Sequence, residues 1–115
     1  MKNIKSIDPI SLQTKELHKI LLSSIAPRPI AFASTVDSIG NVNLSPFSYF
    51  NVFSSNPPIL IFSPSRRVRD NTTKHTLENA METKEVVINV VNFPIVEQMS
   101  KSSIEYEKGV NEFIE

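Results

Sequence analysis

Apolar residues near the start of the chain recur at a helical period. Leu17, Ile20, Leu21 and Ile25 fall at i, i+3, i+4 and i+8, one face of a helix, and predict an amphipathic helix over 11–25 whose stripe packs on a core. Pro27 and Pro29 end it, because the residue before each proline is pushed out of the helical region. The period then changes. From Ile30 to Val36 the chain reads as a strand, with Ile30, Phe32, Ser34 and Val36 on one face and Ala31, Ala33 and Thr35 on the other. Asp37-Ser38-Ile39-Gly40-Asn41 is turn chemistry, so an extended segment from Val42 closes a hairpin. Pro46 places that second strand at an edge, a bulge or a loop.

Phe47 to Phe53 is aromatic-rich and β-prone, Asn56-Pro57-Pro58 is a stiff connector, and Ile59 to Phe62 reads as a buried strand bounded by Ser63-Pro64. A polar stretch, Ser65 to Thr73, leads into a helix near 73–83 with Leu77, Ala80 and Met81 on its apolar face. Glu85 to Val91 is β-branched and reads as an interior strand. Asn92, with Pro94 two residues on, opens another helix with Ile95, Val96 and Met99 buried. Short strands separated by turns, with helices at the ends, predict an α+β fold on a small barrel or curled sheet; a doubly wound sheet needs a regular alternation that this chain lacks. With 115 residues, one compact domain over 1–115 is expected.

Composition narrows the chemistry. Twelve basic residues face twelve acidic ones, which argues against a nucleic-acid or membrane-surface binder, so any anion site must come from local clustering. The chain has no cysteine, which removes thiolate nucleophiles, Cys-ligated zinc and iron–sulfur clusters. With two glycines, Gly40 and Gly109, neither glycine-rich phosphate motif can be assembled. His18 and His75 are too few and too far apart for a zinc motif, and Glu78 and Glu82, on one helix face, are more simply an exposed like-charge pair than an acid/base dyad. No apolar segment after Met1-Lys2-Asn3-Ile4-Lys5 looks like a signal peptide and none reaches the length of a membrane helix, so a cytoplasmic setting is expected. The absence of an obvious nucleophile or general base fits chemistry that belongs to a cofactor.

Two segments carry candidate chemistry. In Ser63 to Asn79, Arg66, Arg67, Arg69 and Lys74 sit within nine positions, and Lys74 is expected in the first turn of a helix, where a cation opposes the dipole. An anion at that helix end removes the conflict, and Thr72, Thr73 and Thr76 add hydroxyl donors. A solvated basic loop with a threonine cap is the competing reading, and spacing alone favours it. In Asn43 to Asn51, polar and aromatic residues alternate across Pro46, a surface that can face a flat heteroaromatic; aromatics simply filling the core are the alternative.

Taken together, Ala26-Pro27-Arg28-Pro29-Ile30-Ala31-Phe32-Ala33-Ser34-Thr35, Asn43-Leu44-Ser45-Pro46-Phe47-Ser48-Tyr49-Phe50-Asn51, Asn56-Pro57-Pro58 and Lys74-His75-Thr76-Leu77-Glu78-Asn79 closely resemble the flavin reductase-like family. These are the FMN-binding split β-barrel proteins that include flavoredoxin-type members. The resemblance runs over roughly residues 10–115 and implies FMN as cofactor. Ser34 and Thr35 with Asn43, Ser45, Pro46, Phe47 and Ser48 would line the isoalloxazine and ribityl chain, and Ser63, Arg66, Lys74 and Thr76 would hold the phosphate. It further implies a homodimer and hydride or electron transfer between NAD(P)H, flavin and an acceptor, with an FMN-binding electron carrier or a shortened non-catalytic flavin binder as the alternative. No side chain is then needed as acid or base, since the protein supplies position and electrostatics. Two departures stand out: His75 occupies a position where the family usually has aspartate, and family members usually continue well past a segment like Gly109 to Phe113.

Overall fold

The computed structural model describes residues 3–114. Its central element is β1 (Ala31–Val36), which pairs antiparallel on one side with β2 (Val42–Phe47), from Ala31↔Phe47 to Val36↔Val42. The hairpin closes as the turn chemistry demands. The Asp37 carboxylate accepts the backbone N–H groups of Ile39 at 3.1 Å and Asn41 at 2.9 Å, and Gly40 takes φ +92°, a conformation a side chain would resist. The Asn41 side-chain amide, with these backbone donors, holds the Asp37 carboxyl below the usual carboxylate range. On its other side β1 pairs antiparallel with β5 (Val87–Val90), giving a three-stranded sheet in the order β2-β1-β5. β2 is thus an edge strand, which is where Pro46 is tolerated.

β3 (Phe50–Ser55) and β4 (Pro58–Phe62) form a separate two-stranded antiparallel sheet, with an irregularity between Val52 and Ser54. Ala31 and Ala33, fully buried on one face of β1, meet Phe47 from the end of β2, and Phe50, Phe62, Val86 and Ile88 pack around them. The helices are α1 (Thr14–Ser24), α2 (His75–Thr83) and α3 (Val96–Ser102), with 3₁₀ turns at Pro9–Ser11 and Phe93–Ile95. At the C-terminus of α1 the Arg28 guanidinium donates to the Leu22 carbonyl at 2.8 Å and to that of Ile25, satisfying acceptors that a helix end leaves open. No helix among the described residues is long and apolar enough to cross a membrane.

Several apolar runs lie differently from the sequence reading. β4 is exposed rather than buried, with Ile59, Leu60 and Ile61 at 41%, 54% and 49%, because its hairpin stands apart from the three-stranded sheet. The run at Glu85 to Val91 is an edge strand rather than an interior one, leaving Val87 and Val90 exposed. Phe47 to Phe53 is divided: Phe47 ends β2 and Phe50 begins β3. The α1 stripe is only partly covered, since Leu21 and Ile25 border an open groove beside the hairpin. Of the apolar residues expected on the last helix, Ile95 in the 3₁₀ turn before α3 and Met99 on α3 are half-buried, and Val96 is exposed. On α2, Met81 is exposed, Leu77 and Ala80 are half-buried, and the fully buried residues are polar: Thr76 and Asn79.

Candidate functional site

That polar face sets the position of the site. Thr35 and Asn43 are cross-strand partners on β1 and β2, and Thr76 and Asn79, three residues apart on α2, reach down to them. Asn43 Nδ2 donates to Thr76 Oγ1 at 2.8 Å, and Asn79 Nδ2 donates to Thr35 Oγ1 at 3.2 Å. All four side chains are buried, where hydrogen bonds become directional and unpaired groups costly. They fix α2 over the β1–β2 pair in one register, with the helix N-terminus beside Ser45 and Pro46. Because Thr76 Oγ1 accepts from Asn43, its own proton remains free for a further acceptor. Thr76→Val, close to isosteric, leaves the buried Asn43 amide without this acceptor. It is expected to cost about 1–3 kcal/mol of stability, seen as a lower urea midpoint at unchanged m.

The N-terminus of α2 opens into a cleft of about 170 Å³. β2 supplies Asn43, Ser45 and Pro46; the helix start supplies Lys74, His75 and Thr76; the preceding loop supplies Arg67; and Ser103 to Tyr106 with Glu112 close the far wall. Lys74 sits at the N-cap position, one residue before the expected first turn, and no side chain caps this end. Its ammonium lies 5.1 Å from the centre of the Phe47 ring, a cation–π contact, and no carboxylate pairs with it among the described residues. Burial, and then the nearby Arg67 guanidinium, hold the Lys74 pKa below the ordinary lysine value, with Glu105 pulling the other way. A half-buried ammonium beside a guanidinium at an uncapped helix N-terminus is an arrangement that an anion stabilises.

The loop before α2 is shaped to present Arg67. Asp70 accepts from the Thr72 hydroxyl at 2.6 Å and the Thr72 N–H at 3.0 Å, and these bonds, with Arg69, push its pKa down to about 2. Arg67 Nη1 donates to Thr72 Oγ1 at 3.1 Å and to the Thr73 carbonyl, and its side chain is only 15% exposed. Its Nε binds Glu105 Oε1 at 2.9 Å.

The structure therefore gathers some of the sequence-predicted residues and separates others. Asn43, Ser45, Pro46, Lys74 and Thr76 line the cleft. Phe47 lies beneath it in the core, and Thr35 is tied to Asn79. Ser34 points away, on the opposite face of β1, near Glu85 to Val87. Arg66 is exposed, with Nη1 donating to the Asn71 carbonyl at 2.8 Å, and does not line the cleft. Ser48 and Ser63 border a second, largely apolar groove of about 450 Å³ between the end of α1, Pro27 to Pro29 and the β3–β4 hairpin. There Arg28 Nε meets Ser48 Oγ at 3.4 Å, and Tyr49 Oη lies 3.2 Å from His18 Nδ1. Sequence reasoning placed Arg67 in the basic cluster but assigned the phosphate to its neighbour Arg66, and it missed Glu105, Tyr106 and Glu112. The last three come from an irregular segment with no local pattern pointing back to α2.

A fold with this hairpin, edge proline and cleft has clear counterparts. Residues 22–115 match the flavin reductase like domain, and the chain belongs to that family. An uncharacterised protein from Aquifex aeolicus is 43% identical over 97 residues, which cover 84% of this chain and 49% of that one. Nitrilotriacetate monooxygenase component B from Bacillus cereus superimposes with a TM-score of 0.89 at 31% identity, over 99% of this chain and 55% of the other. A Shewanella frigidimarina protein described as a flavin reductase with a split barrel domain does so with a TM-score of 0.73 at 31% identity, over 91% of this chain and 50% of the other. The fold is that of the flavin reductase-like split barrels, and the chain spans about half the length of these relatives.

Proposed function

We propose that this chain binds FMN as part of an NAD(P)H-dependent flavin oxidoreductase. The observation that carries the reading is the α2 cleft, where Lys74 has no carboxylate partner among the described residues and meets Arg67, the Thr76 hydroxyl and an uncapped helix N-terminus. That donor set fits a phosphate: two cations, a free hydroxyl proton and backbone N–H groups converge on one small volume. His75, where the family usually has aspartate, lines the same cleft and would add a donor rather than a negative charge. The cleft is sized for the phosphate end of the ligand. In this reading the ribityl chain follows Asn43, Ser45 and Pro46, and the ring lies toward the Phe47–Ser48 end of β2. In this reading Ser63 and Arg66, expected at the phosphate, and Ser34, expected along the ring and ribityl chain, lie outside the cleft.

Bound flavin would supply the hydride and electron chemistry, and the chain's residues would orient it and balance its charge. A homodimer belongs to the same proposal, with a second copy covering the exposed apolar residues Val52, Phe53, Ile59, Leu60 and Ile61 of the hairpin. So does a cytoplasmic setting, where NAD(P)H is at hand. A second reading, an FMN-binding electron carrier or non-catalytic flavin binder, uses the same cleft. Protein mixed with FMN and desalted should keep flavin absorbance, and NAD(P)H should bleach it anaerobically. Retained absorbance without bleaching selects the carrier reading; loss of all flavin on desalting, with no binding in a titration, defeats both.

A further inference from the structure

The far wall of the cleft is held in an unusual way. From the end of α3 to Glu112 the chain forms neither helix nor strand beyond local turns, and its backbone hydrogen bonds are short-range, such as Ile104 N–H to Lys101 O and Val110 N–H to Glu107 O. Side chains fasten it across the molecule. Glu105 places Oε1 2.9 Å from Arg67 Nε and Oε2 2.9 Å from Arg69 Nη1. Glu112 Oε2 accepts the Leu44 N–H of β2 at 3.0 Å, and Lys108 Nζ stands 3.9 Å from Glu78. Ser103, Ile104 and Tyr106 are thereby laid along the cleft.

We propose that Glu105 is a built-in competitor for the anion site: its carboxylate latches this strap across the cleft by taking Arg67, and an incoming phosphate displaces it. This rests on the phosphate reading above and adds a gate to it. Glu105 is well placed to hold and poorly placed to win. It pairs with Arg67 and Arg69 but leaves Lys74 without a carboxylate partner among the described residues, whereas a phosphate group beside Thr76 can face both Lys74 and Arg67. The phosphate also carries close to two negative charges against one, and the Glu105 pairs are partly exposed, a setting in which ion pairs are weak. Releasing Glu105 frees the middle of the strap, leaving it tied by Glu112 and Lys108.

The test compares the wild-type chain with Glu105→Gln, which keeps size and one acceptor but removes the charge. FMN and inorganic phosphate are titrated into each, and tryptic cleavage after Lys108 is followed without ligand and, in the wild type, with FMN as well. The proposal expects Glu105→Gln to bind both ligands about fivefold more tightly and to be cut faster, and FMN to speed the same cleavage in the wild type. Binding by the variant alone would support it further. Equal or weaker binding by Glu105→Gln, while the wild type binds, overturns the competition and makes Glu105 a support for Arg67. Failure of both proteins to bind FMN and phosphate removes the phosphate reading itself, a result distinguishable from the first.

Discussion

Lys74→Met is expected to weaken FMN binding by roughly tenfold to a hundredfold, the loss that follows from one charge-assisted contact worth about 1.5–3 kcal/mol. The methionine keeps the apolar stem over the Phe47 ring, so packing is nearly preserved and the charge is what is removed. Arg66→Ala is the control. Its guanidinium is spent on the Asn71 carbonyl outside the cleft, and its removal should change affinity by less than about twofold. Equal losses in the two variants would show a diffuse field rather than a built site. The pH dependence gives a second arm. Burial and Arg67 lower the Lys74 pKa from its ordinary 10.5, so as pH rises the free protein loses this charge before a solvated lysine would. Wild-type affinity should fall in that range, while Lys74→Arg, always charged, should hold its affinity to higher pH. The sign for folding runs the other way. Between the lowered pKa and 10.5 the unfolded chain binds more protons than the folded one, so ligand-free stability gains with rising pH from this group.

Lys74 was legible because it broke a local rule: a cation expected at a helix start, among threonines, where the dipole disfavours positive charge. Choosing between Arg66 and Arg67 was not possible on the same grounds. They are neighbours in an irregular loop, where no period assigns direction, and what turns Arg67 inward is Thr72, Thr73 and a glutamate thirty-eight positions away. The β1–β2 hairpin was readable from alternation plus Asp37 and Gly40, and of the edge, bulge or loop that Pro46 allowed, the structure shows the edge. The buried face of α2 was misread because hydrophobic periodicity searches for Leu77 and Met81, while the contact is made by Thr76 and Asn79 bonding to Asn43 and Thr35. The same rule placed Ile59 to Phe62 and Val87 to Val90 in the interior. Apolar content says that a strand will be covered somewhere; it does not say that the cover lies within the same stretch of chain.

Phe47→Ala should be the most damaging single truncation in the core, at about 3–5 kcal/mol, a large part of the stability such a domain has to lose. Phe47 is 4% exposed, its ring centre is 5.3 Å from that of Phe62, and it underlies the Lys74 ammonium. Removing the ring opens a cavity between the two sheets and also drops the floor of the cleft, so the urea midpoint and FMN affinity should fall together. Phe53 is the informative contrast. It lies in the same aromatic-rich run, yet it is 65% exposed on the hairpin, so at low protein concentration Phe53→Ala should shift stability by less than about 0.5 kcal/mol. If a second copy covers the hairpin, the cost of Phe53→Ala must grow as the protein is concentrated, because association stabilises by mass action. The cost of Phe47→Ala should be far less sensitive to concentration, since its ring is buried within one chain. Two phenylalanines six positions apart, indistinguishable by residue type, thus separate a position buried within this chain from one that only a second copy would cover.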